Sequence, residues 1–215
     1  MVITIDGPAG AGKSTVARGL AERLGFEFLD TGAMYRAVAW ACLSQGVDLN
    51  DADAVGATAA AVTLDMTPTS VTCNGTDVTS QIRTAEVSEA SSLVAAVPAV
   101  RQELVRLQRE VAQGRNIVTE GRDQGSVVFP DAECKFFLTA ALRRRAERRL
   151  KDLERSGESA TLDDVLQQIV DRDQRDQQRA VAPLVKADDA IEVDTSALSA
   201  AEVLDRLASI ANRQA

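Results

Sequence analysis

The run GPAGAGKS, Gly7 to Ser14, holds the clearest promise of chemistry in this chain. It fits the spacing GxxxxGK(S/T), in which glycines let the backbone curl so that successive N–H groups point at phosphate oxygens. A helix beginning at Lys13 would add the positive end of its dipole to the same spot. Gly7, Pro8, Ala9, Gly10, Ala11 and Gly12 would wrap the phosphates, with Thr15 in the first helical turn. Lys13 would reach the β- and γ-phosphates, and Ser14 would ligate Mg²⁺. The expected ligands are therefore a nucleoside triphosphate, ATP for preference, and its metal.

The remaining reactive groups narrow the chemistry. The chain has no histidine, so the commonest general base and metal ligand are both missing. Cys42, Cys73 and Cys134 lie far apart and form no metal-ligand spacing, which points to reduced, packed thiols. A net charge of -8 argues against binding a nucleic acid polymer. The cations are nevertheless clustered: Arg143, Arg144, Arg145, Arg148 and Arg149 in one segment, Arg172, Arg175 and Arg179 in another. Such groups suit local anion sites on an acidic protein.

Rival nucleotide-binding classes fare worse. Asp30 would sit where a dinucleotide-binding fold keeps its ribose acid, but the glycines run GxxGxG and Lys-Ser follows at once. No Asn-Lys pair exists for the base reader of a GTPase. Glu120 and Asp123 could serve as the strand-end acid of a motor ATPase, yet the chain is small and carries no repeats. A small-molecule kinase remains.

Apolar runs predict strands at Val2 to Asp6, Phe26 to Asp30, Asn116 to Glu120, Lys135 to Leu138 and Ala190 to Asp194. Helical spacing is read at Lys13 to Leu24, Ala33 to Gln45, Ala54 to Val62, Ala85 to Ala96, Val100 to Gln113, Leu142 to Arg155, Leu162 to Arg179 and Ser199 to Asn212. Such alternation implies an α/β fold, a parallel sheet flanked by helices. Val62 to Ser80 departs from it: rich in Thr and Val, with a turn signal at Asn74-Gly75, it predicts a small antiparallel insert. At 215 residues and 45% hydrophobic content, one domain with insertions is expected. No stretch is long and apolar enough to span a bilayer and no basic leader precedes Val2, so we expect a cytoplasmic protein.

DTGAMYRA (Asp30 to Ala37), IRT (Ile82 to Thr84), SLVAAVPAVR (Ser92 to Arg101), EGRDQGSVVFPDA (Glu120 to Ala132) and DRDQRDQQRAVAPL (Asp171 to Leu184) are similar, in order, to segments of bacterial cytidylate kinases. Gln124, where an apolar residue is usual, and Ser126 in place of Thr are the departures. The resemblance implies a P-loop NTPase fold with a core at about 1–33, 99–143 and 158–215. It also implies an insertion binding the nucleoside monophosphate at about 34–98, carrying the antiparallel sheet, and a lid at about 144–157. The activity implied is Mg²⁺-assisted transfer of the ATP γ-phosphoryl group to CMP or dCMP, by a monomer with no membrane or nucleic acid partner.

The resemblance further implies that Arg36, Arg122 and Arg179 hold the acceptor phosphate, with Thr31 and Tyr35 lining that pocket and Arg172 and Asp176 at the ribose. Arg172, Arg175, Asp176 and Arg179 have helical spacing, which a solvated face with an Arg172–Asp176 pair would also explain. Cytosine presents an amino donor beside two acceptors, so Asp123 could accept from N4 while Arg101 and Ser92 donate to N3 and O2. A carboxylate paired with Arg122 or a helix terminus is the other account of Asp123. Arg145 and Arg149 are expected over the donor phosphates, with Arg143, Arg144 and Arg148 competing. No base is required, because the acceptor phosphate is already ionised. Lys13, Arg122, Arg145, Arg149 and Arg179 would do the catalytic work by alignment and charge compensation.

Overall fold

β1 (Val2–Asp6) is followed by α1 (Lys13–Leu24), β2 (Glu27–Asp30), α2 (Thr31–Ser44), α3 (Ala52–Ala61), β3 (Leu64–Met66), β4 (Val71–Cys73), β5 (Thr76–Asp77), α4 (Ala85–Val94) and α5 (Pro98–Ala112). β6 (Ile117–Glu120), β7 (Cys134–Thr139), α6 (Leu142–Arg155), α7 (Leu162–Gln178), β8 (Ile191–Asp194) and α8 (Ala200–Ala211) complete the chain. The computed structural model describes residues 1–67, 69–155 and 157–214. Pro68 in the expected insert, Ser156 in the expected lid, and Ala215 lie outside the described residues.

Two compact units emerge, Met1–Phe28 with Arg115–Ala215, and Leu29–Gly114. The first contains nearly all of a five-stranded sheet in the order β2-β6-β1-β7-β8. β1 runs parallel to both β6 and β7, and β7 parallel to β8. Strands covered on both faces read as continuous apolar runs, which is why VITID and CKFFLT carry so little polar content. Ile3, Ile5, Val118, Phe136, Leu138 and Val193 pack with Val16 and Leu20 of α1 and Val203 and Leu207 of α8 in one buried core. A second, smaller cluster, Ala146, Leu153, Val165 and Ile169, joins α6 to α7. Because β1, β6, β7 and β8 are parallel, their carboxyl ends share one edge of the sheet. That edge is where an open α/β sheet binds ligands.

In the second unit, α2 packs on α4 and α3 on α5. Gly56 brings α3 so close to α5 that a Cβ there would lie 2.9 Å from that of Ala99. The expected insert forms the three-stranded antiparallel sheet β3-β4-β5. Asn74 and Gly75 have φ of 51° and 77°, and Cys73 pairs with Thr76. Two left-handed residues between paired strands make the tight hairpin turn whose twist matches the sheet.

Several boundaries depart from expectation for local reasons. α2 starts at Thr31 rather than Ala33 because the Asp30 carboxylate accepts the Ala33 N–H at 2.8 Å. α5 starts at Pro98, a residue suited to a first helical turn because it has no N–H to leave unsatisfied. α7 ends at Gln178: Arg179 caps it with ψ of 138°, so the expectation that Arg179 shares a helical face with Arg172, Arg175 and Asp176 is corrected. A five-residue π-helical turn, Gln124–Val128, follows β6 where no element was expected.

Candidate active site

Gly7 leaves β1 with φ of 142°, and a Cβ on it would lie 2.1 Å from the Leu138 carbonyl oxygen of β7. Conformation and space both demand glycine there. Gly12, itself left-handed at φ 90°, precedes α1 and has no side chain with which to cap the first turn. The amides of that turn stay available to an anion. Lys13 is buried and donates from Nζ to the Pro8 carbonyl at 2.9 Å. Burial, helped by the charges of Arg122 and Arg172, pushes its pKa down to about 7 against the pull of Glu120 and Asp176. The lysine expected at the phosphates is thus in electrostatic reach of the arginines expected at the acceptor.

Ser14 Oγ donates to Glu120 Oε1 at 2.8 Å. This pairs a hydroxyl with a carboxylate oxygen at the start of α1 and the end of β6. Hard oxygen donors of this kind fit Mg²⁺, which takes one or two protein oxygens when phosphates supply others.

Among the α6 arginines, two touch the phosphate loop. Arg145 donates from NH1 to the Ala9 carbonyl at 3.0 Å and to Asp173 Oδ2 at 2.5 Å, and from Nε to the Ala140 carbonyl at 3.1 Å. Arg148 donates from NH2 to the Thr195 carbonyl at 2.6 Å and from NH1 to Thr195 Oγ1 at 3.0 Å and the Ala11 carbonyl at 3.4 Å. Arg143 and Arg144 pair with Glu147 on their own helix. Arg149, on the same helix, is half-buried.

The turn after β6 gathers the next group. Arg122 Nε donates to Asp176 Oδ2 at 2.8 Å, so the carboxylate bonds across to Arg122 rather than serving only a pair along α7. Burial would raise the Asp176 pKa, but the charges of Arg122 and Arg172, the Arg122 hydrogen bond and the charge of Arg179 hold it below the usual carboxylate value. Arg122 stays protonated more firmly than usual: burial opposes it, and Asp176 with Glu120 prevails. Asp123 faces Arg179 NH2 at 3.4 Å, and each side chain is only 5% exposed. Arg179 is thus a partner of Asp123 beyond the two alternatives that the sequence offered, Arg122 or a helix end. Arg179 also donates from Nε to the Ala182 carbonyl, and Ala182 sits at a left-handed φ of 50° to turn the chain there.

The second unit holds the other predicted residues. Asp30 caps α2 and meets Arg36 NH2 at 3.4 Å, which explains its position without a dinucleotide ribose. The Arg101 guanidinium lies 5.8 Å from the Tyr35 ring centroid, within cation–π range. Thr31 and Arg101 are buried. Ser92 is buried too, and its Oγ has no hydrogen-bond partner among the described residues. A buried hydroxyl left without a partner is costly, so a ligand group is the natural complement.

The sequence matches the profile of the cytidylate kinase family over residues 3–213. The chain belongs to the cytidylate kinase family. It is 46% identical to the cytidylate kinase of Desulfitobacterium hafniense (strain Y51), over 98% of this chain and 92% of that protein. A further relative, the cytidylate kinase of Pasteurella multocida (strain Pm70), is also 46% identical, over 95% and 92%. With the bifunctional pantoate ligase/cytidylate kinase of Synechococcus sp. (strain JA-2-3B'a(2-13)) identity is 47% over 96% of this chain, which spans only 39% of that protein. Among solved structures, an uncharacterized protein from Eubacterium ventriosum ATCC 27560 is 11% identical with a TM-score of 0.54, covering 99% of this chain and 98% of that one. TT1252 from Thermus thermophilus is 20% identical with a TM-score of 0.50, covering 100% and 97%. These two likenesses concern the fold alone. No helix among the described residues is long and apolar enough to cross a membrane.

For this cytidylate kinase family member, several groups at the site escaped sequence reasoning. Asp173 and Thr195 hold Arg145 and Arg148, and Asp6 and Gln124 hold the turn after β6. Asp173 falls one position off the helical face that the arginine spacing singled out, and nothing in its own segment points to Arg145. Asp6, by contrast, left a signal that could have been used, an acid ending the strand directly before the phosphate loop.

Proposed function

We propose that this chain transfers the γ-phosphoryl group of ATP to CMP, and to dCMP, giving ADP and the corresponding diphosphate. The observation that carries this is a cluster of paired, buried charges: Lys13 is buried in the phosphate loop, Ser14 bonds to Glu120 at the end of β6, and just beyond it Arg122 bonds to Asp176 at 2.8 Å and Asp123 faces Arg179 at 3.4 Å. That arrangement suits the approach of two anions, the triphosphate and the monophosphate, whose mutual repulsion is the main obstacle.

In this reading the loop from Gly7 to Thr15 wraps the donor phosphates and Lys13 grips the transferring group. Ser14, seconded by Glu120, would hold Mg²⁺, which neutralises charge on the donor when bound. Arg145 and Arg148 brace the loop carbonyls, and with Arg149 they form the cationic face of α6 toward the donor. Residues 144–157 would serve as the lid and residues 34–98 as the acceptor-binding insertion. Arg36, Arg122 and Arg179 take the acceptor phosphate, Thr31 and Tyr35 line its pocket, and Arg172 and Asp176 meet the ribose. Asp123 accepts from the cytosine amino group while Ser92 and Arg101 donate to N3 and O2. The partnerless Ser92 hydroxyl supports that last role. No proton need be abstracted, consistent with a chain that has no histidine. We read the protein as a monomer of the cytoplasm, where both nucleotides are available.

A panel of monophosphates in an ADP-release assay tests the assignment. CMP and dCMP should turn over best; equal or better turnover of UMP or AMP would defeat it. Asp123→Ala should relax the base preference, whereas Arg179→Ala should weaken every acceptor alike.

A further inference from the structure

Asp6 ends β1 immediately before the phosphate loop, yet among the described residues its side chain makes no hydrogen bond to that loop. Its two carboxylate oxygens instead reach the π-helical turn after β6. Oδ1 accepts the Gln124 N–H at 2.9 Å and Oδ2 accepts the Gly125 N–H at 2.7 Å. The Gln124 amide belongs to the peptide unit that joins it to Asp123. At the other end of that same unit, the Asp123 carbonyl accepts the N–H groups of Val127 at 2.9 Å and Val128 at 3.1 Å. The peptide plane is therefore gripped at both ends, which fixes Asp123 at φ -149° and ψ 24°.

Further ties keep the turn from sliding. Upstream, the Gly121 N–H donates to the Ile5 carbonyl at 3.1 Å. Thr119 Oγ1 donates to Gln124 Oε1 at 2.9 Å. Gly125 packs so tightly that a Cβ would lie 2.8 Å from Thr4 Oγ1. Asp6 itself is 5% exposed, and burying a carboxylate there makes sense only if its bonds are worth the desolvation. A neutral residue would fill the space at lower cost.

We propose that Asp6 is a positioning residue for base selection: by clamping the Gln124 and Gly125 amides it sets the direction in which Arg122 and Asp123 leave β6. The inference rests on the reading above, in which Asp123 selects the acceptor base and Arg122 holds the acceptor phosphate. It also gives β1 two tasks, one at each adjoining loop. The strand delivers the phosphate loop directly through Gly7, and it sets the acceptor residues through Asp6.

The test compares the wild-type protein with Asp6→Asn and Asp6→Glu, using CMP and UMP as acceptors and ATP binding measured separately without acceptor. Asp6→Asn turns one accepting oxygen into an amino group facing a backbone N–H, so one clamp is lost. Loosening the turn should raise KM for CMP and lower the CMP-to-UMP ratio of kcat/KM about tenfold, less than the roughly hundredfold cost of a misplacement of about 1 Å. ATP affinity should stay within about twofold, because the donor loop keeps its own bonds. Asp6→Glu retains the charge and both oxygens and should recover part of the selectivity. If wild type prefers CMP but both variants keep its ratio, or lose donor and acceptor terms equally, Asp6 is only structural and the inference falls. If wild type itself shows no preference for CMP, the functional reading falls instead. Should Asp6→Asn not fold, Asp6→Glu alone decides: a displaced clamp with unchanged selectivity overturns the proposal.

Discussion

The phosphate loop and the turn after β6 spring from neighbouring parallel strands, but they hold their functional groups by different means. In the loop, Lys13 bonds to a carbonyl five residues away, and the groups expected to meet a phosphate are backbone amides at a helix start that follows a glycine. In the turn, Arg122 depends on Asp176, and Asp123 on Arg179, partners at the carboxyl end of α7 that lie more than fifty positions along the chain. A local device survives as long as its few residues do. A device made of distant charges stands or falls with each partner, because every member compensates another that is buried.

That contrast can be broken most sharply at Lys13. Lys13→Ala should cut kcat by about a thousandfold, the order seen when a charge-stabilising donor is removed. Thermal stability should hold or rise, since a buried cation disfavoured in the folded state is gone. Steady-state kinetics beside a melting curve would show whether activity and stability separate in this way. Arg122→Ala should do the opposite and damage both. Leaving Asp176 without its hydrogen-bonded guanidinium should cost about 3 kcal/mol in a denaturant titration at neutral pH. The sign with pH follows from the lowered Asp176 pKa: its stabilising contribution is full above the unfolded value of 3.8 and disappears as pH falls through the folded value. The acid-side loss should therefore shrink in Arg122→Ala.

A double-mutant cycle on Asp123 and Arg179 would sharpen the comparison further. The two should couple by about 1 kcal/mol in stability. Lys13 also makes a titration prediction. With its pKa at about 7 in the free protein, it is largely neutral at pH 8, and bound triphosphate should restore its charge. Calorimetry of ATP binding in buffers of different ionisation enthalpy should reveal proton uptake at pH 8 that Lys13→Ala abolishes. Because the unfolded lysine keeps its proton to higher pH, its contribution to stability should rise between pH 7 and about 10.5. The smallest effect should come from Gly75→Ala. Forcing a side chain into its left-handed turn should cost about 1 kcal/mol in stability while kcat stays unchanged.

Legibility in the sequence tracks the same division. Val2–Asp6, Lys13–Leu24 and Leu142–Arg155 come out with the bounds their patterns predict, because apolar periodicity and glycine punctuation act over a few residues. The Asn74-Gly75 hairpin was readable for the same reason. The π-helical turn at Gln124–Val128 was not, since its bonds run to Asp6, more than a hundred positions earlier. The end of α7 was misjudged by one residue: helical spacing continues through Arg179, but the chain leaves the helix there to bond with Ala182.

Composition and local pattern were enough to specify an α/β nucleotide-binding chain, its phosphate loop, and a chemistry that proceeds without imidazole. They left open which arginine meets which carboxylate. Charge pairing depends on direction and distance in space, and five clustered arginines look alike along a helix until the fold turns Arg145 and Arg148 toward the loop and Arg143 and Arg144 toward Glu147.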